Sequence, residues 1–278
     1  MSSGAKQLVQ IAKETVIGTV PSPFARQTLA FTDISLNQSV EKTESASITD
    51  SRLQQSSMIT SAEYSGELSA EAQYGAYDDL MAAAAFNAWA TNVLTFGGTT
   101  RQTFSVLLGY TDIANYHTFS GLHVNTFGID IPEAGLIGLT FGFMGTKRTT
   151  AVAAPTGTIA PASTNPRMSN ISVGDLLVDG VSVKGTACIT AFSFNWDNSM
   201  QVRKCLGAGL EVGAILEMSA KGTGSFTMAW STKAAELYEK QFTNGNISLS
   251  IPITDTAGNK YVLNIPKVEL TASLATGG

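Results

Sequence analysis

Alternation of apolar and polar residues recurs along this chain and constrains its fold more than any other feature of the sequence. The pattern runs through residues 137–143, 192–196, 226–230 and 247–253. A period of two places one set of side chains on a core and the other set on solvent or on a partner. These stretches therefore predict β-strands, and the chain is expected to be mainly β.

Only two segments favour an α-helix. Residues 76–90 combine a run of alanines with Asp78 and Asp79 in the expected first turn, where negative charge is favourable. Residues 231–242 begin with Ser231 and Thr232, either of which suits the N-cap position.

The same order of segments occurs twice: a strand, a long excursion, a second strand, a helix and a hairpin. The first copy uses residues 29–37, 65–74, 76–90 and 104–127, and the second uses 189–198, 223–230, 231–242 and 249–270. This order predicts an internal duplication that gives two tandem β-sandwich domains, each with one flanking α-helix and a long β-hairpin. The expected division is an N-terminal arm over 1–26, a domain over 27–146, an extended linker over 147–171 and a second domain over 172–278.

The two excursions, residues 40–63 and 199–221, are longer than a compact sandwich needs. Their composition favours two strands joined by a turn, near Asp50 in the first and near residues 207–209 in the second. The alternative is an irregular surface loop. A long hairpin that projects from its domain exposes strand edges, and side-by-side pairing with neighbouring copies would cover those edges.

The low charge of the chain also points to contact between copies. Hydrophobic residues make up 44% of the 278 residues and charged residues only 14%, with a net charge of −5. Ordinary soluble domains carry roughly 25% charged residues. Either other copies cover much of the surface, or this is a globular protein of low charge. Since the cations are scattered, we do not expect specific binding to the DNA backbone.

The sequence carries no convincing catalytic, cofactor or metal site. Cys188 and Cys205 have neither disulfide nor metal spacing, and His117 and His123 have no convincing carboxylate or thiol partner. We expect the two thiols to be buried and structural. The longest apolar run, residues 134–144, is too short to span a bilayer, so no membrane partner is expected.

Several segments, in their order along the chain, carry a resemblance to a known family. They are KETVIGTVP, SAEYSGELSAEAQYGAYDDLMAAAAF, YHTFSGLHVNTFGIDIPEAGLIGLTFGFMG, ITAFSFNWDN and NISLSIPITDTAGNKYVLNIPKVELT. Together they resemble the major tail tube proteins of siphophages, in a two-domain form.

The resemblance implies a structural virion protein and no enzyme activity. It implies stacked rings around a tape measure protein, with DNA passing through the lumen at infection without specific binding. Two tail-tube-like domains per chain imply trimeric rings with pseudo-sixfold symmetry, with a hexamer as the alternative. Tail terminator and distal tail proteins are the further implied partners, in a virion tail assembled in the host bacterial cytoplasm.

A lumen that conducts DNA is expected to be neutral or acidic, because a basic lining would hold the phosphates. The candidate lumen-lining residues on the two hairpins are Glu41, Glu44, Asp50, Gln54, Gln201, Glu211 and Glu217. Arg52, Arg203 and Lys204 weaken this pattern. The alternative is that these charges lie on the outer, solvated surface.

Two other functions fit a mainly β chain of this kind. A carbohydrate-binding or adhesive β-sandwich would present Trp89, Trp196 and Trp230 as an aromatic platform. A tail terminator or baseplate ring protein would share the fold and differ in its place in the tail.

Overall fold

The computed structural model describes residues 6–48, 50, 53, 55–243 and 245–274. It is mainly β, with 48% of residues in strands and 9% in helices, which confirms the predicted fold class. None of the helices in these ranges is long and apolar enough to cross a membrane.

Among the described residues, the first part of the chain holds ten strands and one α-helix. They are β1 Gln7–Lys13, β2 Arg26–Thr28, β3 Asp33–Ile34, β4 Asn37–Glu44, β5 Ser57–Glu71, α1 Asp78–Ala84, β6 Phe104–Tyr110, β7 Asn115–Ile131, β8 Gly138–Gly145, β9 Lys147–Ala151 and β10 Ile159–Ala160.

The described residues of the second part form eight strands and a second α-helix. They are β11 Leu177–Val178, β12 Val181–Ser182, β13 Ile189–Asp197, β14 Gln201–Arg203, β15 Ala214–Leu216, β16 Lys221–Met228, α2 Thr232–Lys240, β17 Asn246–Thr254 and β18 Lys260–Glu269. Short 3-10 turns at Asn170–Ser172 and Gln241–Thr243 complete the regular structure of the described residues.

The 17-residue strand β7 organises the large sheet because its two halves have different neighbours. Its first half pairs with β6 on one side and β9 on the other. Its second half pairs with β13 and β8. The chain thereby builds one run of strands in the order β10-β2-β1-β6-β7 and another in the order β16-β13-β7-β8-β5-β4. Both runs share β7.

The alternation seen in the sequence fixes which face of each strand enters the core. Along β8, Leu139, Phe141 and Phe143 are buried while the intervening residues are only half-buried. Ile247, Leu249, Ile251 and Ile253 of β17 are buried in the same way. One contiguous apolar core contains both of these strands.

A separate four-stranded sheet has the order β12-β11-β17-β18. The corresponding strands of the first half lie in the order β2-β1-β6-β7. However, β13 of the second half pairs directly with β7 of the first, from Phe192 opposite Ile131 to Asp197 opposite Thr126. Because this shared sheet joins the two halves, the division into 27–146 and 172–278 stays a prediction, as does the duplication.

The two segments expected to lie outside the domains contribute to the sheet. Within the predicted arm, β1 is an inner strand between β2 and β6, and its Val9 is buried. Within the predicted linker, β9 pairs with β7, β10 pairs with β2, and Met168 is buried. Both segments carry apolar side chains that pack on the strands beside them, so neither is a free connector.

The two helices begin where the sequence placed them. The Ser231 hydroxyl caps α2 by accepting a hydrogen bond from the backbone N–H of Ala234 at 3.2 Å. Asp78 and Asp79 occupy the first turn of α1. That helix ends at Ala84, earlier than predicted, and Phe86 then has a positive φ of 52°. A left-handed residue cannot continue an α-helix, so the predicted extension to residue 90 is wrong.

Candidate assembly surface

Strand β4 and the first half of β5 form a hairpin that extends beyond the rest of the sheet. We call Asn37–Glu44 together with residues 57–63 the projecting hairpin. The pairing of β5 with β8 ends at Tyr64, opposite Gly145, so residues 57–63 of β5 pair only with β4. The expected two-stranded ribbon over 40–63 is therefore present.

Apolar side chains on the projecting hairpin and its turn are open to solvent. They are Val40, Ile48, Leu53, Met58 and Ile59, whose exposed fractions range from 43% to 99%. A group of exposed apolar side chains is typical of a surface that another molecule covers. Among the described residues, the outer edge of β4 has no strand beside it. This edge and these side chains together make the hairpin the candidate assembly surface.

The candidate lumen residues on this hairpin do not share one face. Successive side chains of a strand point to opposite faces, so Glu41 and Glu44, three positions apart on β4, point in opposite directions. Glu41 lies opposite Ser61, whose hydroxyl donates to its carboxylate at 2.8 Å. At most one of the two glutamates can therefore line a given surface. Asp50 is exposed in the turn, and Gln54 lies outside the described residues.

The second excursion also forms a ribbon, but this ribbon does not project. Strands β14 and β15, which we call the second ribbon, pair from Gln201 opposite Leu216 to Arg203 opposite Ala214. The backbone N–H of Val212 donates to the carbonyl of Thr146 at 3.0 Å, and Val212 is buried. The expectation of two projecting hairpins is thus wrong for residues 199–221. Apolar side chains in this ribbon bury themselves against the first half of the chain.

Ion pairs and a tyrosine hydrogen bond hold the second ribbon in this position. Glu211 pairs with Lys147 at 2.6 Å, and Glu217 pairs with Arg101 at 2.5 Å. The Tyr64 hydroxyl donates to the carbonyl of Leu210 at 3.1 Å. Each exposed ion pair contributes about 1 kcal/mol or less. Two of the acidic lumen candidates are therefore partnered within their own subunit.

Of the lumen candidates on the second ribbon, Gln201 alone has no charge. Gln201 is exposed, and it lies at the start of β14. Lys204, which weakened the acidic pattern, pairs with Glu63 of the projecting hairpin at 3.3 Å. The second ribbon thus supports the base of the projecting hairpin.

A buried carboxylate that the sequence analysis missed ties β6 and β7 to the loop after β1. Glu14 is buried, and its two oxygens accept four hydrogen bonds. The donors are the N–H of Gly18 at 2.8 Å, the hydroxyl of Thr103 at 2.9 Å, the hydroxyl of Ser105 at 2.7 Å and the N–H of Gly121 at 2.8 Å. The signal in the sequence was the segment KETVIGTVP, which contains both Glu14 and Gly18.

His123 lies next to this carboxylate, at the point where β7 passes from one run of strands to the other. Its Nδ1 is 3.0 Å from the carbonyl of Gly121, so Nδ1 carries the proton and donates it. Its buried Nε2 has no hydrogen-bond partner within the described residues. Burial lowers the pKa of His123 below its usual value of 6.5. Neutral His123 is therefore the form that this fold accommodates.

The small sheet is connected to the first helix through one tyrosine. The Tyr261 hydroxyl donates to the Asp78 carboxylate and accepts from the backbone N–H of Gly75 at 2.8 Å. Burial raises the pKa of Asp78, and its hydrogen bond from Tyr261 opposes that shift. Burial and the neighbouring Asp78 raise the pKa of Tyr261. This pair fixes β18 against α1.

The three tryptophans do not form a platform. Trp89 donates its indole N–H to the carbonyl of Asp78 at 3.0 Å, and Trp196 donates to the side chain of Asn198 at 3.0 Å. Trp230 packs on Tyr238 with ring centroids 6.3 Å apart. Each ring therefore has a separate environment, which disfavours the carbohydrate-binding alternative.

The two thiols lie on the surface of the protein. Cys188 and Cys205 are free, and both are exposed, so the expectation of buried thiols is wrong. Both lie outside the apolar core, Cys188 just before β13 and Cys205 in the turn of the second ribbon. In the part of the chain that the structure describes, no three His, Cys, Asp or Glu side chains are grouped to hold a metal ion.

Comparison with known proteins assigns this mainly β chain to a family. A family model described as phage tail tube protein matches residues 4–278. The chain belongs to the phage tail tube protein family. No curated protein matched the chain.

Membership of this family makes the tail tube protein a structural component of the virion tail. Such a subunit assembles with copies of itself into a tube, together with other tail proteins. The projecting hairpin exposes apolar side chains and a free strand edge that suit such contacts.

Proposed function

We propose that this tail tube protein forms trimeric rings with pseudo-sixfold symmetry, which stack into the tube of a siphophage tail and deliver DNA. The observation that carries the proposal is the projecting hairpin, with its free β4 edge and exposed apolar side chains. A strand edge of this kind is stable when another strand pairs with it. Closing a sheet into a barrel removes all such edges.

The trimer is favoured over the hexamer by the repeated order of elements. Each half has a strand, an excursion, a strand, a helix and a hairpin, and the sheet orders β2-β1-β6-β7 and β12-β11-β17-β18 correspond. Two similar halves per chain give six similar lobes from three chains. The second ribbon differs from the projecting hairpin, so the six lobes are alike in framework and differ in their hairpins.

The composition supports a passive conduit. With a net charge of −5 and few clustered cations, the subunit has few positive charges with which to bind the phosphate backbone of DNA. The proposed contents of the lumen are the tape measure protein before infection and DNA in transit. The proposed partners at the tube ends are tail terminator and distal tail proteins, with assembly in the host bacterial cytoplasm, and we propose that the subunit catalyses no reaction.

Electron microscopy of the purified protein tests this function. We expect rings or tubes roughly 10 nm across, the scale of sandwich layers around a barrel. Averaged top views should show three-fold symmetry with six similar lobes. Six identical lobes would contradict the trimer and leave the tube intact. A protein that stays monomeric at high concentration, with the projecting hairpin ordered, would contradict the tube itself.

A further inference from the structure

The second helix carries a group of aromatic side chains that is open to solvent. Trp230 packs on Tyr238 with ring centroids 6.3 Å apart, and Tyr238 packs on Phe242 with ring centroids 5.3 Å apart. Trp230 is 52% exposed and Phe242 is 66% exposed. Exposed aromatic side chains that lie side by side are typical of a surface that another protein covers. We call Trp230, Tyr238 and Phe242 the aromatic cluster.

The indole N–H of Trp230 distinguishes this residue from the other two tryptophans. Trp89 and Trp196 each donate this N–H to an oxygen atom of the chain. Within the described residues, the indole of Trp230 has no hydrogen-bond partner. A tryptophan N–H usually has a partner when its ring is buried. A molecule that covers the aromatic cluster is therefore expected to bring an acceptor.

The first helix has a different environment, because the second half of the chain covers its start. The Tyr261 hydroxyl accepts from the backbone N–H of Gly75 at 2.8 Å and donates to the Asp78 carboxylate. The ring of Tyr261 lies 4.9 Å from that of Tyr74 and 6.3 Å from that of Trp89. A tyrosine beside the turn of the hairpin β17–β18 thus packs on the start of α1.

The hairpin β6–β7 of the first half has a tyrosine and an apolar residue at its turn. Tyr110 ends β6 and is partly buried against the apolar core, as Tyr261 is on β18. Within the part of the chain that the structure describes, the Tyr110 hydroxyl has no hydrogen-bond partner. Ile113, in the turn itself, is 48% exposed. We call Tyr110 and Ile113 the turn pair.

The repeated order of elements relates the two hairpins and the two helices. In the predicted duplication, β6–β7 corresponds to β17–β18, and α1 corresponds to α2. Within one chain, the hairpin of the second half covers the helix of the first half. In a ring of three copies the halves alternate, so each second half is followed by the first half of the next copy. The same contact at that junction places the β6–β7 turn of the next copy on α2.

We infer that the turn pair of one subunit packs on the aromatic cluster of its neighbour in the ring. The inference rests on the proposed function and names a side-chain contact between subunits. In this contact Tyr110 takes the position at α2 that Tyr261 has at α1, and Ile113 packs on the exposed aromatic rings. The turn also brings backbone carbonyl groups, which can accept from the indole N–H of Trp230.

The end of the same chain is the competing cover for the aromatic cluster. The backbone N–H of Ala272 donates to the side-chain oxygen of Gln241 at 3.1 Å, next to Phe242. The residues after Ala272 therefore begin beside the cluster. A cover from the same chain is present in the free subunit, whereas a neighbouring copy covers the cluster only in the ring. This difference separates the two occupants by experiment.

Substitutions in the aromatic cluster test the contact. Trp230→Ala and Phe242→Ser remove side chains that are exposed in the free subunit, so its thermal midpoint should stay close to that of the unmodified protein. We expect the concentration needed for ring formation to rise about tenfold or more, because each variant removes apolar surface that the neighbour buries. The matched control is Leu206→Ser, an exposed apolar residue outside the cluster, which should leave that concentration unchanged. Sedimentation measures it.

A double-mutant cycle then tests whether the two surfaces touch. Ile113→Ser alone should also raise the concentration needed for ring formation. Combined with Phe242→Ser, it should raise this concentration by less than the product of the two single effects, because both changes remove one contact. Single effects that multiply, or normal assembly of the cluster variants, would overturn the inference. A lower thermal midpoint of Phe242→Ser with normal assembly would assign the cluster to the end of the same chain.

Cross-linking in assembled rings keeps the inference testable if a substitution impairs folding. The background carries Cys188→Ser and Cys205→Ser, because both natural thiols are exposed. Ile113→Cys is combined with Thr232→Cys, at the exposed start of α2, and the control combines Ile113→Cys with Leu206→Cys. A short bismaleimide should join subunits through the first pair only.

We expect the first pair to give a ladder of linked subunits that ends at the copy number of the ring. Rings in which only the control pair links, or in which the first pair links no subunits, would overturn the inference and leave the proposed tube standing. Absence of rings from the unmodified protein would instead overturn the proposed function.

Discussion

At the scale of single residues, Glu14 is the polar group on which the fold depends most. Glu14→Gln places an amide NH₂ where one oxygen now accepts two hydrogen bonds from donors. Because donors would face donors at a buried site, we expect the free energy of unfolding to fall by about 1–3 kcal/mol. Urea denaturation of the free subunit, followed by circular dichroism, measures this loss.

The control for that substitution is Glu41→Gln on the projecting hairpin, where the carboxylate is exposed and accepts from Ser61. Surface substitutions of this kind change stability by about 0.5 kcal/mol or less. If the two variants unfold at the same urea concentration, the four hydrogen bonds to Glu14 do not add to the stability of the subunit.

His123 gives the stability of the subunit a predictable dependence on pH. Its pKa in the folded state lies below 6.5, so the unfolded chain binds the proton more readily. The contribution of His123 is fully present above about pH 6.5 and is lost as the pH falls towards the folded pKa. Lowering the pKa of a group by one unit on folding changes the free energy of unfolding by up to about 1.4 kcal/mol.

His123→Gln keeps a donor for the Gly121 carbonyl and removes the titrating ring. We expect the free energy of unfolding of this variant to fall less between pH 7.5 and 5.5 than that of the unmodified subunit. The pKa of half-buried His117 is also lowered, so His117→Gln is the matched comparison and should remove a smaller part of the slope. An unchanged slope in His123→Gln would contradict the assignment.

At the scale of elements, the projecting hairpin is separable from the fold. Replacing residues 41–61 with a short turn removes a ribbon whose described residues are mostly exposed, while Ala62, Tyr64 and the rest of the core remain. We expect a folded subunit whose thermal midpoint is close to that of the unmodified protein and which forms no tubes. Sedimentation and microscopy measure assembly. Normal tubes from this variant would contradict the role of the hairpin.

Strand β1 lies in the predicted N-terminal arm, yet it is an inner strand of the large sheet. It pairs with β6 over its whole length, from Gln7 opposite Tyr110 to Lys13 opposite Phe104. Its Val9 and Ile11 are part of the apolar core. The arm predicted over residues 1–26 contains this strand, but whether a strand is free or paired depends on a partner about a hundred residues away. Local sequence carries no record of that partner.

At the scale of the whole molecule, the large sheet ends, within the described residues, in an open edge at β4. The exposed apolar side chains of the projecting hairpin agree with the low fraction of charged residues, 14% of the chain. A surface of this kind is stable when other copies cover it. The ring proposed above provides this cover along the β4 edge.

The candidate site was only partly predictable. The hairpin over 40–63 followed from its length and composition, because two strands joined by a turn leave a local pattern. The packing of residues 199–221 against their own subunit could not be predicted in this way. Val212 and Ile215 become buried against the first half of the chain, and Glu211 and Glu217 find cations there. These contacts join residues that are far apart in the sequence.

The sequence by itself determined the strands in which apolar and polar residues alternate, the face that each of these turns to the core, and the start of both helices. These properties depend on side chains two to four positions apart, and the alternation in β8 and the Ser231 cap express them directly. Only the tertiary structure decided which strands are neighbours, which ribbon stays exposed, and that β13 continues the sheet of the first half. Backbone hydrogen bonds between strands are the same for any partner, so that choice is made by the packing of the whole core.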